Sequence, residues 1–397
     1  MRIAVIGSGI SGLSAGYFLG KNHEVTIFEK SDRLGGHTHT HQLELETKVK
    51  VDSGFIVLND KNYKNLMKFF KEIDIDLYQT EMSFSVNSKS LIWNSKEFFN
   101  FSFLTSLKKI KLLIDIVRFN YLAKNLKSKE NIGEWLKTFK FSNLFVESYL
   151  LPMTSAIWSS TSKKIKNYPA ESMNNFLNNH GLLNLYDRPQ WYSVLGGSST
   201  YVEKLLDLKV FDVKLNSEVK INRSENKIFI SNKDESYEFD LLIMANHPNQ
   251  ILECINDLNE KEKNAIDSIK YQKNITILHG DESLMPKDKK KWCSWNVYKD
   301  ENYEYVTYWM NNLQKISTNK NIFVTLGDFP KPNFIFNEME YEHPIFDFKA
   351  LMGQKNFKEI QSEKNTYFTG AYLGYGFHED GIKSSQAICK LINSRDK

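Results

Sequence analysis

Three glycines and one acid near the start of the chain have the types and spacing to hold a dinucleotide. Gly7-Ser8-Gly9-Ile10-Ser11-Gly12 is a G-x-G-x-x-G turn, and Glu29 closes a second apolar run. Gly7 suits a tight turn, Gly9 lets the backbone approach a pyrophosphate, and Gly12 lets a helix lie close on a strand. The free N–H groups of the helix that follows would meet the phosphates. Glu29 can accept hydrogen bonds from a ribose diol, and its charge would repel a 2′-phosphate. The steric alternative is a glycine turn that merely joins strand to helix. The complete context of strand, turn, helix, strand and acid favours the dinucleotide.

These groups need elements to position them. Residues 2–6 read as a buried strand, Leu13, Tyr17 and Phe18 keep helical spacing, and Val25-Thr26-Ile27-Phe28 reads as a second strand. A second glycine pair comes soon after the acid, in Arg33-Leu34-Gly35-Gly36-His37. NAD binding does not require such a pair.

The ordered set resembles the flavin-containing amine oxidase and phytoene desaturase superfamily. Arg33, Gly35 and Gly36 match its R-x-G-G motif, which runs beside the FAD pyrophosphate; this chain has His37 where the family usually continues with arginine. Val51-Asp52-Ser53-Gly54-Phe55 resembles the V-D-x-G segment, and Val194-Leu195-Gly196-Gly197-Ser198 the middle glycine motif. Ser217-Glu218-Val219-Lys220-Ile221 resembles the strand whose backbone holds adenine, and Asp240–Ala245 the strand closing the nucleotide lobe. Tyr367-Phe368-Thr369-Gly370-Ala371 and Glu379-Asp380-Gly381 resemble the C-terminal flavin motif, where a helix N-terminus faces the ring. More narrowly, the chain is similar to a bacterial group of amine-oxidase-like FAD/NAD-binding proteins. It also resembles the flavin region ahead of the methyltransferase in plant cyclopropane fatty-acid synthases.

The resemblance implies an α/β fold: a Rossmann-type FAD-binding domain with an interleaved α+β substrate domain. The FAD domain is expected over 1–60, 195–250 and 355–397, and the substrate domain over 61–194 and 251–354. It implies FAD as cofactor, held by Gly7, Gly9, Ser11, Gly12, Glu29, Arg33, Gly35, Gly36, His37, Val219, Gly370, Glu379, Asp380 and Gly381. The expected reaction is hydride transfer to flavin from an apolar small molecule or a lipid acyl chain. Amine oxidation and a non-catalytic flavoprotein serving a lipid methyltransferase are the rivals.

His37, His39 and His41 alternate and would share one face of a strand. Their place beside the cofactor motif argues for His37 as a flavin-side donor and His41 as a structural histidine, and no metal is expected. In Gly376-Phe377-His378-Glu379-Asp380-Gly381 either acid could match the family acid, and the upstream Phe-Thr-Gly-Ala string favours a flavin contact by a helix starting near Gly381; the alternative is an acidic helix cap. Phe377 or Tyr375 stands where amine oxidases place a cage tyrosine. Trp158, His180 and Trp191 are candidates for a substrate cavity, against core packing for the tryptophans and a helix end for His180. Lys273 precedes a probable strand, away from a flavin-side position. No catalytic residue is singled out.

The segment Phe98–Lys127 carries Phe98, Phe99, Phe101, Phe103, Leu104 and Leu107, then Lys108, Lys109, Lys111, Leu112, Leu113 and Ile116, with Asp115 the lone acid in that stretch. A basic amphipathic helix can lie on an anionic membrane. A helix with a solvated lysine face is the alternative.

Composition limits the rest. The chain has 397 residues, and its 52 basic against 48 acidic side chains leave a net charge of +4, too little to argue for nucleic acid. Cys254, Cys293 and Cys389 are far apart and form no disulfide framework. No apolar run is long enough to cross a bilayer. A cytoplasmic protein is expected, with peripheral contact at the inner membrane face.

Overall fold

The computed structural model describes residues 1–97, 106–124, 126–184, 188–233 and 235–395. Phe98, Phe99, Phe101, Phe103 and Leu104 lie outside the described residues.

Strand β1 (Arg2–Ile6) sends alternate side chains into two cores. Ile3 and Val5 join Leu13 of helix α1 (Ile10–Gly20), while Ala4 and Ile6 join Phe239 and Ile221 on the other side. The strand Leu241–Met244 divides in the same way, with Leu241 and Ile243 to one core and Leu242 and Met244 to the other. Strands covered on both faces read as continuous apolar runs and suit a parallel sheet. Among the described residues this sheet runs Asp212–Lys214, β2 (Glu24–Phe28), β1, Leu241–Met244 and Thr366–Phe368, with every pairing parallel. Helix α1 and the C-terminal helix His378–Arg395 cover one side. An antiparallel layer of Lys220–Arg223, Ile228–Asn232 and Glu235–Phe239 covers the other. Three distant stretches of chain thus meet in one Rossmann-type lobe.

The second lobe is α+β. Its sheet runs Ile335–Pro344, Tyr271–His279, Phe323–Asp328, Glu304–Trp309, Trp295–Lys299, Phe84–Ser88 and Ile92–Asn94. Among the described residues only its Trp295–Lys299 and Phe84–Ser88 pairing is parallel. Helices between Leu107 and Asn179 pack Phe119, Trp135, Phe145, Trp158 and Phe176 into one core with Val86, Val297, Val306 and Val324 from this sheet. Much of the aromatic content is therefore core.

One buried acid ties the lobes. Asp52 ends β4 (Lys48–Asp52), which pairs with β3 (Thr40–Glu44). Its carboxylate accepts from the Thr40 hydroxyl, from Ser198 N–H and Oγ at 2.9 and 2.8 Å, and from Gln314 Nε2 at 2.5 Å. Burial pushes this carboxyl up to about 6, even against those donors. The V-D-x-G segment, the middle glycine motif and the second lobe are knotted at this side chain.

Candidate functional site

The first turn is shaped by close backbone approach. Gly7 has φ +101°, and a Cβ on Gly12 would stand 1.9 Å from the Gly7 carbonyl oxygen, so neither position admits a side chain. Gly9 differs: a Cβ there would meet no atom within 4 Å. The face of the turn at Gly9 is open, as a group approaching the start of α1 requires. Ser11 lies at that start, and a Cβ on Gly381 would sit 2.9 Å from Ser11 Oγ, so the first turns of α1 and of the C-terminal helix converge.

Glu29 follows β2 and turns back to the glycine turn. Its Oε2 accepts from Ser8 N–H at 3.0 Å and Ser8 Oγ at 2.6 Å, and its Oε1 accepts from Ser31 N–H at 2.9 Å. Arg33 donates to the carbonyls of Gly36 at 2.9 Å and Thr38 at 3.2 Å, so it braces the loop that carries the second glycine pair. Gly35 has φ +107°, and a Cβ on Gly36 would press on Gly9 Cα at 3.2 Å. The two glycine motifs therefore touch. Val219 is buried beneath the antiparallel layer, just ahead of Lys220–Arg223, while neighbouring Ser217 N–H donates to the Glu29 carbonyl at 2.8 Å. That brings the adenine-type segment alongside Glu29. Gly370 follows Thr366–Phe368, and its N–H donates to Ser384 Oγ in the C-terminal helix at 3.1 Å.

The C-terminal helix starts at His378, three residues ahead of Gly381. Its two acids accept hydrogen bonds from within the protein. Glu379 accepts from Asn65 N–H at 3.1 Å, Asn65 Nδ2 at 2.6 Å and Leu66 N–H at 2.9 Å, filling the unpaired donors at the start of α2 (Lys64–Glu72). Asp380 accepts from Tyr375 and Phe377 N–H at 3.0 and 3.1 Å and holds the aromatic turn; burial pushes its carboxyl up to about 6. Each acid acts as a cap because unpaired backbone N–H groups lie within its reach.

His37 stands beside the second glycine pair, and its Nε2 is buried without a partner. Its ring centroid lies 5.3 Å from Tyr341, 5.2 Å from His343 and 5.9 Å from His247. Burial, reinforced by repulsion from His343, His247, His378 and Arg33, holds its pKa well below the usual histidine range, so the ring is neutral. His378 stacks on Phe55 at 3.7 Å, with Nε2 3.0 Å from Thr38 Oγ1. Sequence reasoning did not gather His247, His343 and His378 around His37. They come from the end of the Leu241–Met244 strand, the end of Ile335–Pro344 and the start of the last helix.

His39 and His41 are satisfied. His39 Nδ1 lies 2.9 Å from Tyr341 Oη, and His41 Nε2 lies 2.7 Å from Ser53 Oγ. Among the described residues no group of three His, Cys, Asp or Glu is arranged to hold a metal.

An aromatic wall stands next to the Tyr375–Phe377 turn. Phe176 lies 4.5 Å from Trp158, 5.5 Å from Tyr375, 5.1 Å from Phe377 and 3.8 Å from His180, centroid to centroid. His180 caps the helix Ala170–Asn179, with Nδ1 2.9 Å from the Phe176 carbonyl, so it is a helix end. Trp191 lies apart, opening the strand Trp191–Val194. Lys273 pairs with Glu340 at 2.7 Å on the exposed side of Tyr271–His279. A surface cleft of about 480 Å³ is lined in part by Tyr271 and Glu342, both of which contact His247, and none of the glycine-turn residues lines it.

Residues 5–73 match the NAD(P)-binding Rossmann-like domain family. An uncharacterized protein of Methanocaldococcus jannaschii is 28% identical over 166 residues, which are 40% of this chain and 42% of that protein. The chain thus spans less than half the length of the curated relative it matches. Across the whole chain the fold is that of a fatty acid isomerase from P. acnes that produces CLA, at 16% identity, TM-score 0.72 and 98% coverage of both chains. Cyclohexylamine oxidase from Brevibacterium oxydans has it too, at 14% identity, TM-score 0.66 and 99% coverage of both. The chain thus has the α/β fold that these two solved structures share.

Proposed function

We propose that this protein is an FAD-dependent oxidoreductase acting on an apolar substrate, such as the acyl chain of a lipid. The observation that carries the reading is the convergence of the open Gly9 turn, the Gly35-Gly36 pair, the unpartnered His37 Nε2 and the start of the C-terminal helix. An NAD site would need only the first of these. The solved structures that share the fold include the fatty acid isomerase and the amine oxidase already described.

The residues fit the cofactor. Gly9 and the first turn of α1 would receive the diphosphate, Glu29 the ribose diol, and the backbone beside Val219 the adenine. His37 would meet the flavin edge as a neutral hydrogen-bonding ring. FAD held there would supply a two-electron acceptor for a hydride from substrate; a desaturation would balance with the proton from the adjacent carbon released to solvent and an external acceptor, a quinone or oxygen, taking the two electrons. The wall of Phe176, Tyr375 and Phe377 excludes water and fits hydrocarbon. Both nearby carboxylates are held by backbone N–H groups rather than aimed at these rings, which favours an apolar substrate over an ammonium.

Anaerobic photoreduction followed by rapid mixing with quinones and oxygen tests redox function, and mixing oxidised protein with acyl lipids and amines tests the substrate class. Bleaching of the flavin by an acyl lipid is the expected result. Bleaching by amines alone would establish the amine oxidase. A reduced flavin that no acceptor reoxidises would mark a non-catalytic flavoprotein.

A further inference from the structure

Helix α3 (Leu107–Ala123) is apolar on two faces, and only one is covered. Leu112, Ile116 and Phe119 are buried in the second lobe's core. On the other face Leu107 is 85% exposed, Ile114 62%, Val117 49% and Tyr121 81%. With half-buried Ile110 these residues advance in steps of three and four, which lays them in one stripe along the helix. A helix apolar all round is normally enclosed, and an apolar stripe left facing outward marks a contact surface.

The charges at the stripe's edges select the occupant. At 3.6 residues per turn Lys111 and Arg118 lie along one edge, with Lys108 about 100° beyond Leu107 on the same side, and the exposed Lys124 just past the helix lies on the other; the Arg118 guanidinium also donates to the Phe139 carbonyl and lies over the Phe141 ring. The helix's one acid, Asp115, is buried and holds the Ser142 hydroxyl and N–H. Lys109 faces inward in an ion pair with Glu97 at 2.9 Å and does not belong to the outer set. A second copy docked through the same stripe would set cations against cations. A bilayer with anionic headgroups supplies the missing counter-charge, while the lysine stems lie along the apolar side chains.

We propose that the outer stripe of α3 docks this protein on an anionic lipid surface. The inference stands on its own residues; joined to the redox reading, it would bring acyl chains within reach of the enzyme. The test is co-sedimentation of the full-length protein with phosphatidylcholine vesicles, with and without phosphatidylglycerol, at low and high salt. Two variants accompany the wild type: Leu107→Ser/Ile114→Ser/Tyr121→Ser and Lys108→Gln/Lys111→Gln/Lys124→Gln. All six positions are exposed, and thermal melts verify folding. Wild type should bind the anionic vesicles in a salt-sensitive way. The lysine variant should bind about a hundredfold more weakly, at about a factor of five per basic residue, and the serine variant should lose binding as well. No binding by wild type, equal binding to neutral vesicles, or binding that both variants retain would overturn the proposal. So would a dimer in sedimentation velocity that the serine changes abolish, since a second copy would then cover the stripe. Vesicle binding is read without turnover, so its failure leaves the redox reading standing.

Discussion

A carboxylate has about four acceptor sites, and Glu29 uses three of them on Ser8 N–H, Ser8 Oγ and Ser31 N–H, which leaves one on Oε1. The residue both fixes the glycine turn and remains able to receive a ribose hydroxyl. Removing it in Glu29→Ala deletes charge-assisted bonds of about 1.5–3 kcal/mol, so FAD affinity should fall about tenfold or more. Fluorescence titration of the apoprotein with FAD measures this. Ser8→Ala separates the two duties, because it removes a hydroxyl from the turn and leaves the acid in place. It should cost less affinity than Glu29→Ala. Equal losses would mean that Glu29 acts only through the turn, and unchanged affinity in Glu29→Ala would remove it from the site.

At the scale of elements, what was legible in the sequence is what local chemistry controls. The strand-turn-helix unit of residues 2–20 reads directly, because steric demand at Gly7 and Gly12 leaves few other residues possible. The C-terminal motif was legible as a helix start, while the protein partners of its acids were not. Whether an acid faces a cofactor or caps a neighbour depends on α2, whose first N–H groups reach Glu379 across the fold. The histidine group shows the same limit. His37, His247, His343 and His378 come from four separate elements, and neither periodicity nor spacing brings them together. Helix α3 was legible as basic and apolar. Only its packing reveals which apolar residues the core consumes and that Lys109 is spent on Glu97.

For the whole molecule, these buried rings set the response to acid. His37, His39, His41, His180, His279, His343 and His378 are all held below the usual histidine range, with burial the leading cause. Unfolding returns each to a pKa of about 6.5, so the unfolded chain binds more protons. Their contribution is present above about pH 6.5 and is lost as pH falls toward folded values of about 3 and about 4. Asp52 and Asp380, pushed up to about 6, act in the opposite sense and lose their contribution as pH rises through that value. Seven histidines outweigh two acids, so stability should fall on acidification, by about 1.4 kcal/mol per pH unit for each net proton. Urea midpoints taken from about pH 7 to about pH 5 should decline steeply; a flat or rising midpoint would contradict the burial of these rings.

If the open face at Gly9 receives the diphosphate of FAD, a side chain placed there must exclude the cofactor. A valine at position 9 meets no protein atom at its Cβ, so Gly9→Val should fold while filling the space the cofactor needs. The measurement is the visible spectrum of purified wild type and Gly9→Val, with identification of the cofactor released on heating. Wild type should be yellow and release FAD, and Gly9→Val should be folded and colourless. A colourless wild type that takes up no FAD on reconstitution, or a Gly9→Val protein that retains its flavin, would contradict it.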